Sequence, residues 1–341
     1  MVNEKPQSET ASQLLNSDDT IKDEVPTILY HYCSIDTFKE IIKNKTIRLS
    51  DIFKMKDFSE VTHILKLLPD ILAEEYTKNP FTFQYKGLDN EKAFDLIVSD
   101  ININDVKYAS YITCFSKSED DLVQWNRYGD GSKGVAIGYD KKILDDIAKQ
   151  CQCEEITEVI YDEKMQKEYL KRTIVPRMFE AIKKADEHAN VKNGRFPRDH
   201  MVQICINSDI SAILLSAVRY KNKEYKDENE WRLYKNIPEI TKIWRSEGSK
   251  RYSKDERYGD VVMKKISFIN KPDGVISSCI DLDLGEFKNA SKIIKKIILG
   301  PRFPISKKDL NVRSFLHIID FDIGLPCIAH SEIQQSKISY N

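Results

Sequence analysis

The sequence predicts an α+β protein: a mixed or split central β-sheet with a block of helices inserted into it. Three observations carry that prediction. A strand, a capped amphipathic helix and a second strand occupy residues 28–50; a helical pattern dense in charge fills about residues 141–218; and strand-like runs return at residues 233–234 and 295–299. One domain, residues 26–341, is expected to hold all of this after a tail at residues 1–25.

The stretch 107–140 frames the rest. It opens with a run rich in Tyr, Ile, Thr and Phe, crosses a charged segment carrying Trp125, and reaches a Gly-Asp-Gly-Ser-Lys-Gly turn before Val-Ala-Ile-Gly-Tyr. This reads as strand, short helix, tight turn, strand. Few charges interrupt either strand, so both are expected to be central in the sheet. A polar run between two buried strands projects from a rim, where sites form, which makes Ser116, Trp125 and Tyr128 candidates. A core Trp125 with glycines that merely turn the chain is the competing reading.

In chain order, residues 1–25 are too poor in large apolar side chains to offset their own ordering entropy. Ile28 to Tyr32 form a strand that carries His31; Ser34 is the N-cap of a helix with Ile35, Phe38, Ile41 and Ile42 on one face; Ile47 resumes a strand. Apolar spacing predicts a helix over residues 60–75, interrupted or bent at Pro69, and another over 91–97. The inserted block follows: helices at 141–149, at 163–188 with a kink at Pro176, and at 201–218, with a strand-like run at 158–162. Residues 306–319 read as a helix with a strand at its end and 326–330 as a last strand, while Gly300 to Arg302 offer backbone N–H groups and a guanidinium to a phosphate.

Composition narrows the function classes. The chain carries 53 Lys and Arg against 54 Asp and Glu, a net charge of −1, so contact with nucleic acid or an anionic membrane has to come from a local patch. The first residues lack an apolar signal-peptide core, and no apolar run approaches the roughly 20 residues of a membrane span. A cytoplasmic protein is expected. Seven cysteines, an odd number scattered along the chain, suggest no disulfide framework. Cys151 and Cys153 lack a partner pair at zinc spacing, so no metal site is expected, and His188 and His200 read as solvated or structural.

Two segments stand out chemically. In residues 225–234, Glu228 and Glu230 are two apart; on an extended backbone both carboxylates face one surface, and such a pair favours raising one pKa. An exposed, solvated acidic pair is the competing reading. Residues 242–265 hold eight basic and four acidic side chains with Trp244, Tyr252 and Tyr258 interleaved, a pattern that neutralises phosphates and stacks on bases. Arg245, Lys250, Arg251, Tyr252 and Lys254 are the nucleic-acid candidates there, against a plain surface loop.

Four anchors now stand in order: Leu-Tyr-His-Tyr at 29–32, Ser-Asp-Ile-Phe-Lys-Met-Lys-Asp-Phe at 50–58, residues 125–140, and Glu-Asn-Glu-Trp-Arg at 228–232 followed by Ile-Leu-Gly-Pro-Arg at 298–302. Together they resemble a widespread bacterial domain family of unknown function, the one numbered twenty-nine seventy-one, over residues 28–335. A His-bearing strand, a capped helix, a Ser-bearing strand and a late Glu also resemble the ADP-ribosyltransferase superfamily, particularly its nucleic-acid-modifying and toxin branches.

That resemblance implies an ADP-ribosyltransferase-like sheet and an NAD-dependent transferase acting on a macromolecule, RNA or DNA ahead of protein, as a toxin or phage-defence effector with an antitoxin or inhibitory partner. It implies that His31, with Tyr32 beside it, binds NAD, His31 at the adenosine-side ribose; that Ser116 stands for the serine of the second motif; and that Tyr128 or Trp125 stacks on nicotinamide. Glu230 becomes the catalytic Glu and Glu228 the acceptor-orienting residue. The second motif departs from Ser-Thr-Ser, reading Cys114-Phe115-Ser116. A non-catalytic nucleotide- or nucleic-acid-binding sensor is the alternative. A metal-dependent nuclease using Glu228, Glu230, Asp281 and Asp283 is a third.

Overall fold

The computed structural model describes residues 25–55, 59–81, 83–89, 91–100, 108–189, 199–200, 202–203, 217–238, 266–271, 274–287, 292–304, 311, 314 and 332–339. The tail at 1–24, most of the helix expected at 201–218, most of 306–330, and the basic segment holding Arg245, Lys250, Arg251, Tyr252 and Lys254 lie outside them.

The chain opens as expected. Strand β1 (Ile28–Cys33) leads to helix α1 (Ile35–Asn44), whose N-cap Ser34 accepts from the Thr37 N–H at 3.1 Å. Phe38 and Ile42 are its buried stripe, and Lys45 ends it in the left-handed region at φ 53°. Strand β2 (Thr46–Asp51) follows. Helix α2 (Ser59–Lys78) runs unbroken through Pro69. A small hairpin of β3 (Gln84–Tyr85) and β4 (Leu88–Asp89), then helix α3 (Glu91–Ser99), lead to the framework stretch.

That stretch is β5 (Tyr108–Ser116), the short helix α4 (Leu122–Arg127) and β6 (Val135–Asp140). The turn between α4 and β6 needs its glycines for space: a Cβ on Gly134 would sit 2.1 Å from the Cys33 carbonyl oxygen. The phosphate cradle read at Gly300 to Arg302 is not there. The Gly300 N–H donates to the Gly134 carbonyl at 2.9 Å and the Arg302 N–H to that of Ser132 at 2.9 Å, so these donors hold the turn.

Next come helix α5 (Lys141–Gln150), strand β7 (Thr157–Glu158) and helix α6 (Glu163–Tyr169), which widens into a π-turn at Leu170–Ile174 before helix α7 (Val175–Ala189). The π-turn lies just ahead of Pro176, where a missing N–H and the ring disturb the ladder. Strand β8 (Glu230–Pro238), the hairpin β9 (Ile266–Asn270) and β10 (Ile276–Asp283), then β11 (Ile294–Leu299) and β12 (Glu332–Gln335) complete the described elements. The β9–β10 hairpin and β12 were not foreseen.

The topology places the site. Among the described residues the main sheet is mixed: β11 and β12 are parallel, and its other ladders are antiparallel. Strand β8 pairs with β5 along the whole of one edge, from Tyr108↔Pro238 to Ser116↔Glu230. The other edge of β5 is shared: β1 meets it at Ser116, through Tyr30, and β2 meets it at Ile112 and Tyr111, through Ser50 and Asp51. Two arms leave from there, β1-β6-β11-β12 and β2-β10-β9, and the sheet is split between them.

Alternation along β5 sends Tyr111 and Phe115 into one core, with α1 and α5, and Ile112 into another, with α2, α3 and α7. A third, smaller cluster packs Trp125 against Tyr30, Tyr32, Ala136 and Ile298. Replacing Gly134 with Ala should cost about 1–3 kcal/mol or more, because backbone cannot yield to the new methyl. Thermal unfolding of Gly134→Ala beside Gly131→Ala, whose Cβ would meet nothing within 4 Å but whose φ is 58°, separates crowding from backbone strain.

Candidate active site

A cavity of about 520 Å3 opens at the split, within the range of ligand sites. Because the strands part there, residues of both sheet faces line it: His31, Phe115 and Tyr139 from one, Tyr30, Cys114 and Ser116 from the other. Its far end is built by α1 and β2, with Ile41, Ile47, Arg48 and Ser50.

Register creates the first half of the site. Tyr30, Ser116 and Glu230 are direct partners across β1, β5 and β8, so their side chains lie side by side. His31, next along β1, sets Nδ1 3.0 Å from the Cys114 carbonyl oxygen. A carbonyl only accepts, so Nδ1 carries the proton and the lone pair of the neutral ring is on Nε2. Burial lowers the His31 pKa, with the Cys114 contact opposing it in part.

The second half is a knot of ions. Glu228 ends a 3₁₀ helix (Lys223–Glu228), Asn229 turns the chain in the left-handed region at φ 46°, and Glu230 begins β8. The two carboxylates therefore do not share the face of one strand. They are drawn together by Lys221, whose Nζ lies 2.6 Å from Glu228 and 3.1 Å from Glu230. Arg232 grips Glu230 with two nitrogens, at 2.7 and 3.0 Å. Arg127 donates to the other oxygen of Glu228 at 2.5 Å and the Tyr128 hydroxyl donates to it at 3.0 Å.

Backbone contacts fix the same two residues. The Glu228 carbonyl accepts from the Ser116 hydroxyl at 2.8 Å and from Gln124 at 2.6 Å, while the Glu230 N–H donates to the Tyr161 hydroxyl at 3.0 Å. Glu228 and Glu230 are 2% and 5% exposed, which removes the solvated reading of the pair. The expected rise in one pKa is also reversed for Glu230. Burial pushes its carboxyl up, but Arg232 and Lys221 outweigh burial and hold it at about 2.

Of the residues singled out from sequence, His31, Tyr32, Ser116, Tyr128, Glu228 and Glu230 line this one cavity. Trp125 does not. Its ring is fully buried, with Nε1 donating to Asp120 at 2.7 Å and its edge set against Tyr32, so it supports β1 from behind. Asp281 forms a two-nitrogen pair with Arg48 and Asp283 caps a turn; neither lines the cavity. Among the described residues no three His, Cys, Asp or Glu side chains gather as a metal group.

Sequence reasoning missed Lys221, Arg127, Gln124 and Tyr161. Arg232 was legible in principle, two residues past Glu230 on a strand. Lys221 carried no signal, since long-range contacts bring its segment to the cavity: the bridge Ile160↔Tyr220, Gln166 on the Lys221 carbonyl and Arg232 on the Val218 carbonyl.

Acid should loosen this site. Glu230 gives stability that is present above its unfolded pKa of 4.5 and lost as pH falls toward 2. His31, with its pKa depressed, makes the fold costlier as pH falls below 6.5. Urea unfolding is expected to show stability falling from pH 7 to 4, with a shallower slope below 6.5 in His31→Gln. Lys221→Met, which leaves two buried carboxylates short of a cation, should cost about 3–5 kcal/mol. An unchanged midpoint would mean that Lys221 is not what holds the pair.

No helix among the described residues is long and apolar enough to cross a membrane. No curated protein and no solved structure matches the chain. The profile of a family described as a protein of unknown function (DUF2971) matches residues 124–233, a span that holds Tyr128, Lys221, Glu228, Glu230 and Arg232 and stops short of β1 and β2; over that span the chain is similar to the family.

Proposed function

We propose that the cavity binds NAD and transfers its ADP-ribosyl group to a macromolecule, with RNA or DNA the favoured acceptor. The observation that carries this reading is the adjacency of three strands, β1, β5 and β8, bearing His31, Ser116 and Glu230 on one cavity. The chemistry fits those groups. Nε2 of a neutral His31 accepts from a hydroxyl such as that of a ribose. Tyr128, 47% exposed at the rim with its hydroxyl on Glu228, offers a ring face to an aromatic leaving group.

In the transfer, the bond between C1′ and the nicotinamide nitrogen breaks and the bonding pair leaves with nicotinamide. The acceptor bonds to C1′ and gives up a proton. Positive charge grows on the ribose in between, as in glycoside hydrolysis. A carboxylate that stays ionised across the physiological range stabilises that charge more in the transition state than in the ground state.

A specific observation favours a second reading, a nucleotide-binding module without turnover: both oxygens of Glu228 and both of Glu230 are already engaged by protein donors. Incubation with adenylate-labelled NAD and cell lysate, followed by nuclease or protease digestion, separates the two. The transferase predicts macromolecular label with wild type, a fall of about 10²-fold or more in Glu230→Gln, and unchanged near-ultraviolet circular dichroism. Saturable NAD binding with no nicotinamide release establishes the binding module, and wild-type transfer by a folded Glu230→Gln removes Glu230 from the chemistry.

A further inference from the structure

The segment 219–230 has two sides. One lines the cavity through Lys221, Glu228 and Glu230; the other, through Arg219, Lys223 and Lys226, lines a separate open groove of about 760 Å3, whose remaining residues are 157–165. The bridge Ile160↔Tyr220 joins these two stretches of backbone.

The groove's charges do not cancel among themselves. Its acids are Glu158, Asp162 and Glu163. Lys117 reaches Glu158 at 3.5 Å and Lys167 reaches Glu163 at 2.7 Å, both from outside the groove, and Asp162 caps α6 by accepting from the Met165 N–H at 2.8 Å. Its cations are Lys164, Lys223 and Lys226, all exposed, and Arg219, whose Nε is buried with no hydrogen-bond partner. Within the groove four cations face three carboxylates, and two of those carboxylates are already paired from outside it.

Spacing gives the ligand its form. Lys223 and Lys226 are three apart on a 3₁₀ helix, where such side chains eclipse about 6 Å apart along the axis. A row of flexible ammonium groups in an open groove suits a chain of phosphates, each displacing counterions. It does not enclose a single phosphate as a nest of backbone N–H groups would. Met165, 43% exposed, and Tyr161 add apolar surface beside the row, on which unpaired bases can lie.

We propose that this groove binds the phosphate backbone of a single-stranded polynucleotide. As the docking place of the acceptor it rests on the transferase reading and gives that acceptor its class; the binding itself does not. Lys226 on the groove and Glu228 in the cavity are two residues apart, so a strand held here passes beside the cavity.

The test is fluorescence anisotropy of a labelled 12-nucleotide single-stranded RNA, titrated across a range of NaCl. Three proteins are compared: wild type, the groove variant Lys164→Gln/Lys223→Gln/Lys226→Gln, and an equal-charge control, Lys66→Gln/Lys142→Gln/Lys149→Gln. The groove variant should lose about tenfold in affinity, and its salt slope should fall by about 2, the three lysines each counting about 0.7. The control should match wild type. Equal losses in both variants, no loss in either, or no binding by wild type overturns the proposal. So does displacement of the RNA by millimolar inorganic phosphate, which would make the groove a site for free phosphate. Failure of the transferase reading stays separate: the titration contains no NAD, so its outcome does not depend on whether NAD turns over.

Discussion

A strand edge hydrogen-bonds one partner at each position, and the shared edge of β5 is the constraint on which the rest of this structure depends. Strand β8 occupies one edge completely, so β1 and β2 divide the other, one at Ser116 and one at Ile112. The strands cannot both continue alongside β5, and the residues between those contacts face an opening instead of a neighbour. The imidazole of His31 reaches the Cys114 carbonyl in that interval, doing for a part-buried backbone acceptor what a ladder partner would have done. The cavity is thus a direct product of strand pairing, and it is lined from both faces of the sheet because it opens through a gap in it.

The ion knot follows from the same constraint. Ser116 ends β5 level with Glu230, which forces the chain entering β8 to turn at Asn229 and brings Glu228 back over the cavity. Two carboxylates at 2% and 5% exposure would be costly alone. Lys221 and Arg232, themselves 4% and 1% exposed, offset that cost, and Arg127 completes a group of three cations around two anions. Such a group is weak evidence of stability, since apolar residues of equal volume often serve a fold as well. Its location in a cavity wall is the stronger reason to read it as functional.

How much of this was legible in the sequence depends on the range of the interaction. The framework strands, Ser34 as a cap and the buried stripe of α1 follow from periodicity within a few residues, and all appear. The grouping of His31, Ser116, Glu228 and Glu230 was legible only through resemblance, because strand order is not written in any local pattern. Trp125 misled: a large aromatic in a polar run reads as a site residue, yet its ring filled the back of β1 while Asp120 satisfied its N–H. The sign of the Glu230 pKa shift was only half legible, for it depends first on Arg232, two residues along the same strand, and then on Lys221, whose segment is joined to the site by long-range contacts with Ile160 and Gln166. The β9–β10 hairpin escaped because its exposed face carries Phe268 and Ile276, at 68% and 63%, which blurs the alternation that marks a half-buried strand.

The two glutamates are not equivalent to an incoming ligand. Both cations that bind the Glu230 carboxylate, Lys221 and Arg232, are buried, so exchanging either of those bonds for a ligand hydroxyl strands a charge inside the protein. Glu228 differs. One of its oxygens is held by Arg127 and Tyr128, whose side chains stand substantially in solvent, and a guanidinium released there is rehydrated at little cost. Glu228 can therefore give up a partner to a bound molecule while Glu230 keeps its charge and position. On this energetic ground Glu228 is the carboxylate whose partners exchange more readily, and Glu230 supplies a fixed negative potential beside it. That division of work needs no movement of β5, β8 or Lys221, only of two side chains that already face water.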